Sequence, residues 1–332
     1  MNQSIMAQEA REVPSVIRNQ LVNNDNVIQR TVTILNDIAP RLIYVIGRGS
    51  SDHAGVFAKY LFEIEKGIPV SSAALSIAGV YGKGLDLSGA VAFVISQSGR
   101  SPDILRQAES AKQGGAFTIA FVNDESSPLA ELADAVIAIG AGEEKAVAAT
   151  KSYLATLSAL LHLCARWNND DHLLASLQAL PASLEKVIDE PAQLADTFLH
   201  NTRNAVVLGR GFGYAIGREI ALKLKEVLGI HAEAFSSAEF IHGPVTLVEN
   251  KLKVIALNIQ DESAAYHHDI IEDVKHRGAE CLEMNACNDN VHPRLSPLLL
   301  LQRFYLDVEK IAVEMGLNPD TPPGLNKVTK TQ

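Results

Sequence analysis

The sequence contains an internal repeat, and this repeat limits the folds that the chain can adopt. Residues 43–70 align without a gap on residues 205–232 at an offset of 162. The identical positions include Gly47 and Gly209, Arg48 and Arg210, Gly49 and Gly211, Gly55 and Gly217, Gly67 and Gly229, and Ile68 and Ile230. Each copy reads as an apolar strand, a glycine turn, a helix and a glycine stop, which is half of a β-α-β unit. The repeat therefore predicts two related α/β domains.

Strands and helices are predicted to alternate along both halves of the chain. In the first half we predict strands at 42–46, 68–72, 90–95, 116–121 and 135–138, and helices at about 52–65, 102–113, 127–132 and 150–166. In the second half we predict strands near 204–208, 230–234, 252–257 and 279–283. Such alternation is typical of a parallel sheet with helices on both faces, so the predicted fold class is α/β with two tandem, flavodoxin-like domains.

The predicted domain borders follow the same pattern. The expected parts are an N-terminal helical segment (1–40, helical over 5–38), a first domain (41–166), a helical connector (167–200), a second domain (201–316) and an extended C-terminal arm (317–332). The arm contains three prolines, which disfavour a regular element.

Composition excludes several classes of function. The formal net charge of −10 argues against a nucleic-acid partner, because binding nucleic acid needs a basic face. We find no apolar run of the roughly 18 residues that a membrane span needs, and no secretory signal. Cys164, Cys281 and Cys287 show no metal-binding spacing, which fits a reducing compartment. We therefore expect a cytoplasmic protein without a metal, a cofactor or a membrane partner.

A serine-rich loop is the predicted phosphate site. The loop SQSGRS (96–101) follows an apolar strand and precedes Pro102, which suits the first position of a helix after a Ser101 N-cap. Backbone N–H groups, the helix dipole and hydroxyls would meet there, as a phosphate dianion requires. An ordinary polar loop explains SQSGRS alone equally well, but serines at the equivalent turn of a neighbouring strand favour phosphate. The candidates are Ser50, Ser51, Ser96, Gln97, Ser98 and Ser101.

Other loops are weaker candidates or are rejected. Gly49 and the turn formed by Val147, Ala148 and Ala149 are weaker substrate-binding candidates, and a simple helix start explains that turn at least as well. The second copy of the serine loop, 258–263, has gained acids and is predicted to exclude phosphate. The turn at GRGSSDHAG lacks the third glycine of a dinucleotide-binding motif.

An acid–base cluster is predicted on the helix of the second repeat. Glu219, Lys223 and Glu226 are spaced to share one helix face. A solvated salt-bridge face is the commoner meaning of this spacing, but the rest of the helix is apolar and starts at a turn expected to line a cleft. Further candidates, Glu233, Glu239 and His242, follow within twenty residues. We expect a carboxylate to move a proton between adjacent sugar carbons and the histidine to open the sugar ring.

The motifs SQSGRSPD, VAATKSY, LGRG, ALKLKE, HAEAF and HGP resemble tandem sugar isomerase (SIS) domains, in particular the isomerase half of glutamine–fructose-6-phosphate aminotransferase. The resemblance implies that the six serine and glutamine candidates hold a sugar phosphate and that Glu226 transfers the proton. It implies that His242 opens the ring across a homodimer interface. It also implies that Lys327, in GLNKVT, forms an imine with an open-chain ketose.

Two departures from this family affect the expected activity. The start MNQSIMAQ has no N-terminal cysteine of a glutaminase domain, and Arg100 and Ala149 replace the usual acid and serine. We therefore expect a glucosamine-6-phosphate deaminase of amino-sugar catabolism, acting as a homodimer. A fructosamine-6-phosphate deglycase, a galactosamine-6-phosphate deaminase/isomerase and a non-catalytic sugar-phosphate sensor remain the alternatives.

Overall fold

The computed structural model describes residues 3–286, 291–325 and 327, and two parallel sheets form its framework. The strands of the first sheet are β1 (Leu42–Ile46), β2 (Val70–Ser72), β3 (Ala90–Ser96), β4 (Phe117–Val122) and β5 (Ala135–Ala138). The strands of the second sheet are β6 (Asn204–Gly209), β7 (His231–Ser236), β8 (Lys253–Asn258) and β9 (Glu280–Asn285). Cys287 lies outside the described residues.

Helices connect and flank these strands. They are α1 (Ile5–Ile38), α2 (Ser50–Glu65), α3 (Ser76–Gly79), α4 (Pro102–Gln113), α5 (Pro128–Leu132), α6 (Lys151–Asn168), α7 (Asp171–Asp189), α8 (Asp196–Leu199), α9 (Phe212–Leu228), α10 (Ser237–Ile241), α11 (Ala264–His276) and α12 (Ser296–Glu314). Short 3₁₀ helices cover Pro244–Asn250 and Pro293–Leu295. In the part of the chain that the structure describes, no helix is long and apolar enough to cross a membrane.

The four strands of the second sheet follow the same order as the first four strands of the five-stranded sheet. The first runs β2-β1-β3-β4-β5 and the second β7-β6-β8-β9, and every pairing is parallel. This confirms the predicted tandem α/β fold. The direction of the strand order reverses between β1 and β3, and again between β6 and β8. In open α/β sheets, ligands bind at such switch points, outside the carboxyl ends of the strands.

The internal repeat holds at the level of backbone conformation. Gly49 (φ 55°, ψ −128°) and Gly211 (φ 54°, ψ −122°) adopt nearly the same positive-φ geometry before α2 and α9. L side chains rarely adopt this conformation, so glycine is required at both turns. The helices also approach their strands closely. A Cβ on Gly55 would lie 2.6 Å from Val45 Cγ1, and one on Gly217 would lie 3.3 Å from Val207 Cγ1.

The described residues divide into two compact units. The N-terminal unit comprises 13–144, 151–181 and Lys327, and it contains the first sheet. Its core stacks aromatic rings edge to face, with centroids 5.2 Å apart for Phe62 and Phe93 and 5.4 Å apart for Phe93 and Phe121. These rings pack the α2 side of the sheet.

The C-terminal unit comprises the described residues of 3–12, 145–150 and 182–325, and it contains the second sheet. The first turns of α1 belong to this unit because hydrogen bonds attach them to its last elements. Gln302 Nε2 donates to the Ala10 carbonyl at 2.8 Å, and Asp320 accepts the N–H groups of Ile5 and Met6.

Most element bounds agree with the predictions to within two or three residues. The main difference in the first sheet is β2, which begins at Val70 and not at 68. Pro69 directly precedes this strand and has no N–H to donate, although its carbonyl still accepts the N–H of Ile43 at 3.0 Å.

Candidate active site

A cavity of about 360 Å³ lies at the carboxyl ends of β1 and β3 in the N-terminal unit. It brings together most of the predicted phosphate-binding residues, at the switch point of the strand order. The lining residues are Arg48, Gly49, Ser51, Ile95, Ser96, Gln97, Ser98, Ser101, Asp103, Ile104 and Lys327. Ser50, the first residue of α2, is not among them.

Two of the loop hydroxyls accept backbone N–H groups. Ser96 Oγ accepts the Gly99 N–H at 3.1 Å, and Ser98 Oγ accepts the Arg100 N–H at 3.3 Å. A hydroxyl that accepts a backbone N–H still has its own hydrogen to donate. Ser101 occupies the N-cap position of α4, as predicted, but its side chain makes no capping hydrogen bond. The predicted N-cap position is therefore confirmed, but the Ser101 side chain does not cap the helix, so its hydroxyl can bind other partners.

The structure adds two residues to this cavity that the sequence analysis did not identify. The Nε of Arg48 donates to Oδ2 of Asp103, whose side chain is only 2% exposed. Asp103 Oδ1 accepts the Ile104 N–H at 2.9 Å, at the start of α4. One feature of the sequence could have identified Arg48, because it is repeated as Arg210 between two glycines. An arginine is not needed to form such a turn, so its repetition suggests another role.

Lys327 reaches the same cavity through a buried partner. Its Nζ lies 3.0 Å from Oε2 of Glu144, a carboxylate whose side chain is fully buried. Glu144 also accepts the N–H of Ser152 at 3.1 Å and the Ser152 hydroxyl at 2.7 Å. The lysine near the chain end is thus fixed to the first turn of α6.

The weaker candidates of the turn 147–149 do not line the cavity. In the C-terminal unit the Val147 N–H donates to the Asp320 carbonyl at 2.9 Å. The two residues before Val147, Lys145 and Ala146, donate their backbone N–H groups to the buried Glu9 carboxylate at 2.5 Å and 3.2 Å. These backbone donors are therefore used within the protein. A substrate contact by Val147, Ala148 or Ala149 stays a prediction.

The predicted acid–base cluster forms on α9 in the C-terminal unit. Lys223 is 1% exposed and lies 3.2 Å from Oε1 of the fully buried Glu219. The Lys223 ammonium also donates to Glu226, whose side chain is 22% exposed. On the other side of Glu219, the hydroxyl of Tyr305 from α12 lies 3.5 Å from Oε1. The cluster is therefore a buried ion-paired group and not a solvated helix face.

The two carboxylates determine the charge of the lysine. Burial by itself lowers the pKa of Lys223, but the neighbouring Glu219 and Glu226 outweigh this effect and raise its pKa above the ordinary value. Lys223 is therefore a permanent cation near neutral pH. Glu226, the most exposed of the three, is the member that a ligand can reach.

The members of this cluster lie at different distances from the start of α9. We expected the glycine turn at the start of the helix to place these residues beside a cleft. Glu226 is the fifteenth of the seventeen residues of α9. At 1.5 Å per residue it lies roughly 20 Å from the first residue of the helix. Glu226 therefore lies near the C-terminal end of α9, whereas Glu219 lies near its middle.

The remaining candidate acids and the histidine are dispersed. The side chains of Glu239 and His242 are exposed at the end of α10. The backbone N–H of His242 donates to the backbone carbonyl of Glu239 at 3.0 Å. Glu233 lines a different and larger cavity, of about 600 Å³, at the amino ends of β6 and β8. That cavity lies away from the carboxyl ends where α/β sheets bind their ligands, and it contains no serine. We therefore place the candidate site at the smaller cavity.

The second copy of the serine loop contains acidic side chains in fixed positions. The Asp261 carboxylate accepts the N–H of Ser263 at 2.8 Å and its hydroxyl at 2.6 Å. Glu262 makes a two-pronged ion pair with Arg294 at 2.7 and 2.8 Å. Hydrogen bonding from Arg294 lowers the pKa of Glu262 to about 2. This loop presents negative charge, in contrast to the loop at 96–101.

The fold and the repeat together define a protein of two doubly wound α/β units. Comparison with known families matches the SIS domain over residues 39–166 and 198–300. The chain belongs to the SIS domain family, and the predicted membership is confirmed.

Individual relatives agree with this assignment. The glutamine–fructose-6-phosphate aminotransferase of Methanothermobacter thermautotrophicus is 31% identical over 340 residues, which cover 97% of this chain and 56% of the relative. The chain thus spans little more than half the length of that relative.

Solved structures share the fold over nearly the whole chain. A proposed phosphosugar isomerase from Silicibacter pomeroyi DSS-3 is 34% identical with a TM-score of 0.89, covering 96% of this chain and 100% of that one. A glucosamine-6-phosphate deaminase from Thermotoga maritima is 23% identical with a TM-score of 0.75, covering 99% of this chain and 100% of that one. The last likeness is one of fold alone.

Proposed function

We propose that this protein is a sugar-phosphate isomerase that acts as a glucosamine-6-phosphate deaminase. The reaction would convert glucosamine 6-phosphate and water to fructose 6-phosphate and ammonia. The observation that carries the proposal is the cavity at the β1–β3 switch point, where serine hydroxyls, Gln97 and the Lys327 ammonium converge. Hydroxyl donors and a cation at a helix N-terminus suit a phosphate dianion.

The names of the relatives support the same chemistry. The aminotransferase and the Silicibacter protein are both described as acting on phosphosugars, and the Thermotoga protein as a deaminase. Aldose–ketose isomerisation and deamination share one step, in which a proton moves between C1 and C2 of an open-chain sugar. We assign to this chain both the shared proton transfer and the release of ammonia that completes the deamination.

In the proposed mechanism Glu226 is the base. After His242 assists opening of the sugar ring, the Glu226 carboxylate removes the C2 proton of the aldehyde form and gives an enaminol. The same carboxyl group then returns the proton to C1, which leaves an imine at C2. Addition of water to that imine and departure of ammonia yield the ketose, so the atoms balance. Glu226 suits this task because it is partly exposed, while its neighbours in the cluster are buried.

Lys223 has an electrostatic role in this mechanism. Its raised pKa keeps it protonated, so it does not act as a base. Its contacts with Glu219 and Glu226 hold Glu226 in one orientation. Lys327 is proposed to provide the route by which that C2 imine is hydrolysed. Its amine adds to C2 and expels the substrate nitrogen as ammonia, and water then cleaves the resulting lysine imine, which releases the ketose and restores the amine.

The test is ammonia release from a panel of substrates. Purified protein is given glucosamine 6-phosphate, galactosamine 6-phosphate and a fructosamine 6-phosphate, and ammonia and the product sugar are measured together. We expect ammonia and fructose 6-phosphate in equal amounts from glucosamine 6-phosphate. Preference for another member of the panel would replace the named substrate, and binding of all three without turnover would indicate a sensor.

A paired variant locates the phosphate site. Replacement of Ser98 and Ser101 by alanine removes two donors to the phosphate, each worth about 1.5–3 kcal/mol, and should raise KM strongly with a small change in kcat. The control is Ser126→Ala, an exposed serine whose hydroxyl binds Asp124 outside the cavity. An unchanged KM in the Ser98/Ser101 variant would remove the phosphate from this cavity.

A further inference from the structure

We propose that Arg48 binds the phosphate group of the substrate and that Asp103 is the residue that positions it. The inference rests on the proposed function, because it takes the cavity at 96–101 as the phosphate site. Arg48 and Asp103 both line this cavity. The two residues lie 55 positions apart in the sequence and meet at the ends of the strands that flank the switch point.

The guanidinium of Arg48 is held by one edge only. Its Nε donates to the Asp103 carboxylate, and its two Nη groups have no hydrogen bond or ion pair among the described residues. An arginine presents five N–H donors in a planar fork that matches two oxygens of a phosphate. With Nε occupied, the Nη groups remain for that contact. The side chain is 51% exposed, so solvent and a ligand can reach it.

Asp103 is built as a support and not as a ligand-binding group. Its side chain is 2% exposed, and its two oxygens are occupied by Arg48 Nε and by the Ile104 N–H. A carboxylate whose hydrogen-bonding capacity is used in this way orients its partner. The buried carboxylate also restrains the Arg48 side chain through Nε, which reduces the side-chain entropy that Arg48 would lose on binding a ligand.

The charge of the cavity requires such an arginine. The carboxylate of Asp103 would repel a phosphate dianion if it were not neutralised, and Arg48 is the cation that pairs with it. The other cation on the wall, Lys327, is paired with Glu144. Arg48 therefore cancels a local negative charge, which the neutral serines do not, and adds N–H donors to their hydroxyl donors.

Arg100 provides a matched control. It lies in the serine loop at 96–101, its side chain is also 51% exposed, and it too pairs with an aspartate, Asp124. Asp124 is 37% exposed, and neither residue lines the cavity. Arg48→Gln and Arg100→Gln therefore remove the same charge from comparable surfaces, and only the first should affect a phosphate in the cavity.

The experiment measures binding of fructose 6-phosphate and of inorganic phosphate by calorimetry, together with KM and kcat for glucosamine 6-phosphate. We expect Arg48→Gln to raise both dissociation constants and KM by about 10–100-fold, as the loss of a charge-assisted contact predicts. Arg48→Lys should recover part of the affinity because it keeps the charge without the fork. Arg100→Gln should bind as the unmodified protein does.

The positioning role of Asp103 has a separate test. Asp103→Asn should weaken phosphate binding, and the double variant Arg48→Gln/Asp103→Asn should bind no more weakly than Arg48→Gln alone, because Asp103 acts through Arg48. Additive losses in the double variant would overturn this part. Thermal unfolding of each variant shows whether the fold is retained, and Arg48→Lys keeps the test valid if Arg48→Gln is unstable.

The Ser98/Ser101 variant separates the two proposals. If it loses phosphate affinity while Arg48→Gln keeps it, the arginine proposal is overturned and the phosphate site stands. If neither variant changes phosphate affinity, the cavity is not the phosphate site and both proposals fall. Loss of affinity in both, with Arg100→Gln unaffected, supports both.

Discussion

Lys327 Nζ lies 3.0 Å from Oε2 of Glu144, although the two residues are 183 positions apart. Glu144 is buried and also binds the backbone and hydroxyl of Ser152 at the first turn of α6. The Lys327 side chain thus has a buried carboxylate of the same unit as a partner. The contact also places the Lys327 ammonium on the wall of the serine-lined cavity.

Glu144→Gln should lower kcat more than it raises KM. The amide oxygen can still accept one of the two Ser152 hydrogen bonds, but the amide carries no charge for the Lys327 ammonium. A charge-assisted contact of about 1.5–3 kcal/mol corresponds to a loss of roughly 10–100-fold in kcat. The same variant should trap less Lys327 imine when substrate and borohydride are added, as measured by mass spectrometry. Glu143→Gln, at the exposed neighbouring position, is the control and should trap as much as the unmodified protein.

Lys223→Met should destabilise the protein. Removal of the ammonium leaves Glu219 buried beside Glu226 without its cation, and breaking a buried ion pair costs about 3–5 kcal/mol. Urea unfolding should show this loss in the free energy of unfolding. The double variant Glu219→Leu/Lys223→Met should recover part of it, because the buried charge is then gone as well. A single variant as stable as the unmodified protein would contradict the buried-pair interpretation.

Glu226→Gln should fold normally but lose turnover. Its side chain is partly exposed, so the neutral amide costs little stability, whereas a general base contributes about 10²–10⁴-fold to the rate. Exchange of the C2 proton with solvent deuterium, followed by NMR, should disappear in parallel with turnover. If exchange persists, the proton-transfer role belongs to another carboxylate, and the exposed Glu239 is the next variant to test.

Local patterns in the sequence were sufficient to predict most of the fold. The helix predicted over 5–38 is observed as Ile5–Ile38, and Pro14 lies within it without ending it. The glycine turns of the repeat were correct because positive φ and close helix–strand contact both exclude larger residues there. The shared face of Glu219 and Lys223 followed from the helical period alone.

The supporting residues of the site could not be predicted in this way. Arg48 meets Asp103 across 55 residues, and Lys327 meets Glu144 across 183, so no local spacing relates the partners. Glu226 is a different case. Its face on α9 and its distance from the glycine turn both follow from helical geometry. Which ligand it can reach depends on the packed fold. Pairings between distant elements are properties of the packed fold.

Acid should weaken the fold through His267. This side chain is 3% exposed, and neither ring nitrogen has a hydrogen-bond partner among the described residues. Burial lowers its pKa to about 4, with Arg210 and His268 acting in the same direction and Glu283 opposing them. As the pH falls below about 6.5, the unfolded chain binds a proton that the folded protein does not take up until about pH 4.

The resulting loss of stability between these pH values is about 3 kcal/mol, at roughly 1.4 kcal/mol per pH unit. Urea unfolding at pH 7 and pH 4.5 should show it in the unmodified protein. In His267→Leu the difference between the two pH values should shrink by most of this amount. An equal pH dependence in both proteins would show that other groups cause the acid sensitivity.

The proposed homodimer can be tested by subunit complementation. The SIS resemblance implies that His242 acts in the active site of the partner subunit, and in this chain His242 is exposed at the end of α10. A symmetric dimer would then hold two sites, each using Glu226 from one subunit and His242 from the other.

Inactive His242→Ala and inactive Glu226→Gln proteins are mixed under conditions that allow subunit exchange, with differently tagged subunits to prove mixed dimers. Each mixed dimer should contain one site with both residues intact, so activity should return to at most half of that of the unmodified dimer. Mixed dimers without activity would place His242 in its own subunit's site, and an absence of dimers would reject the shared site altogether.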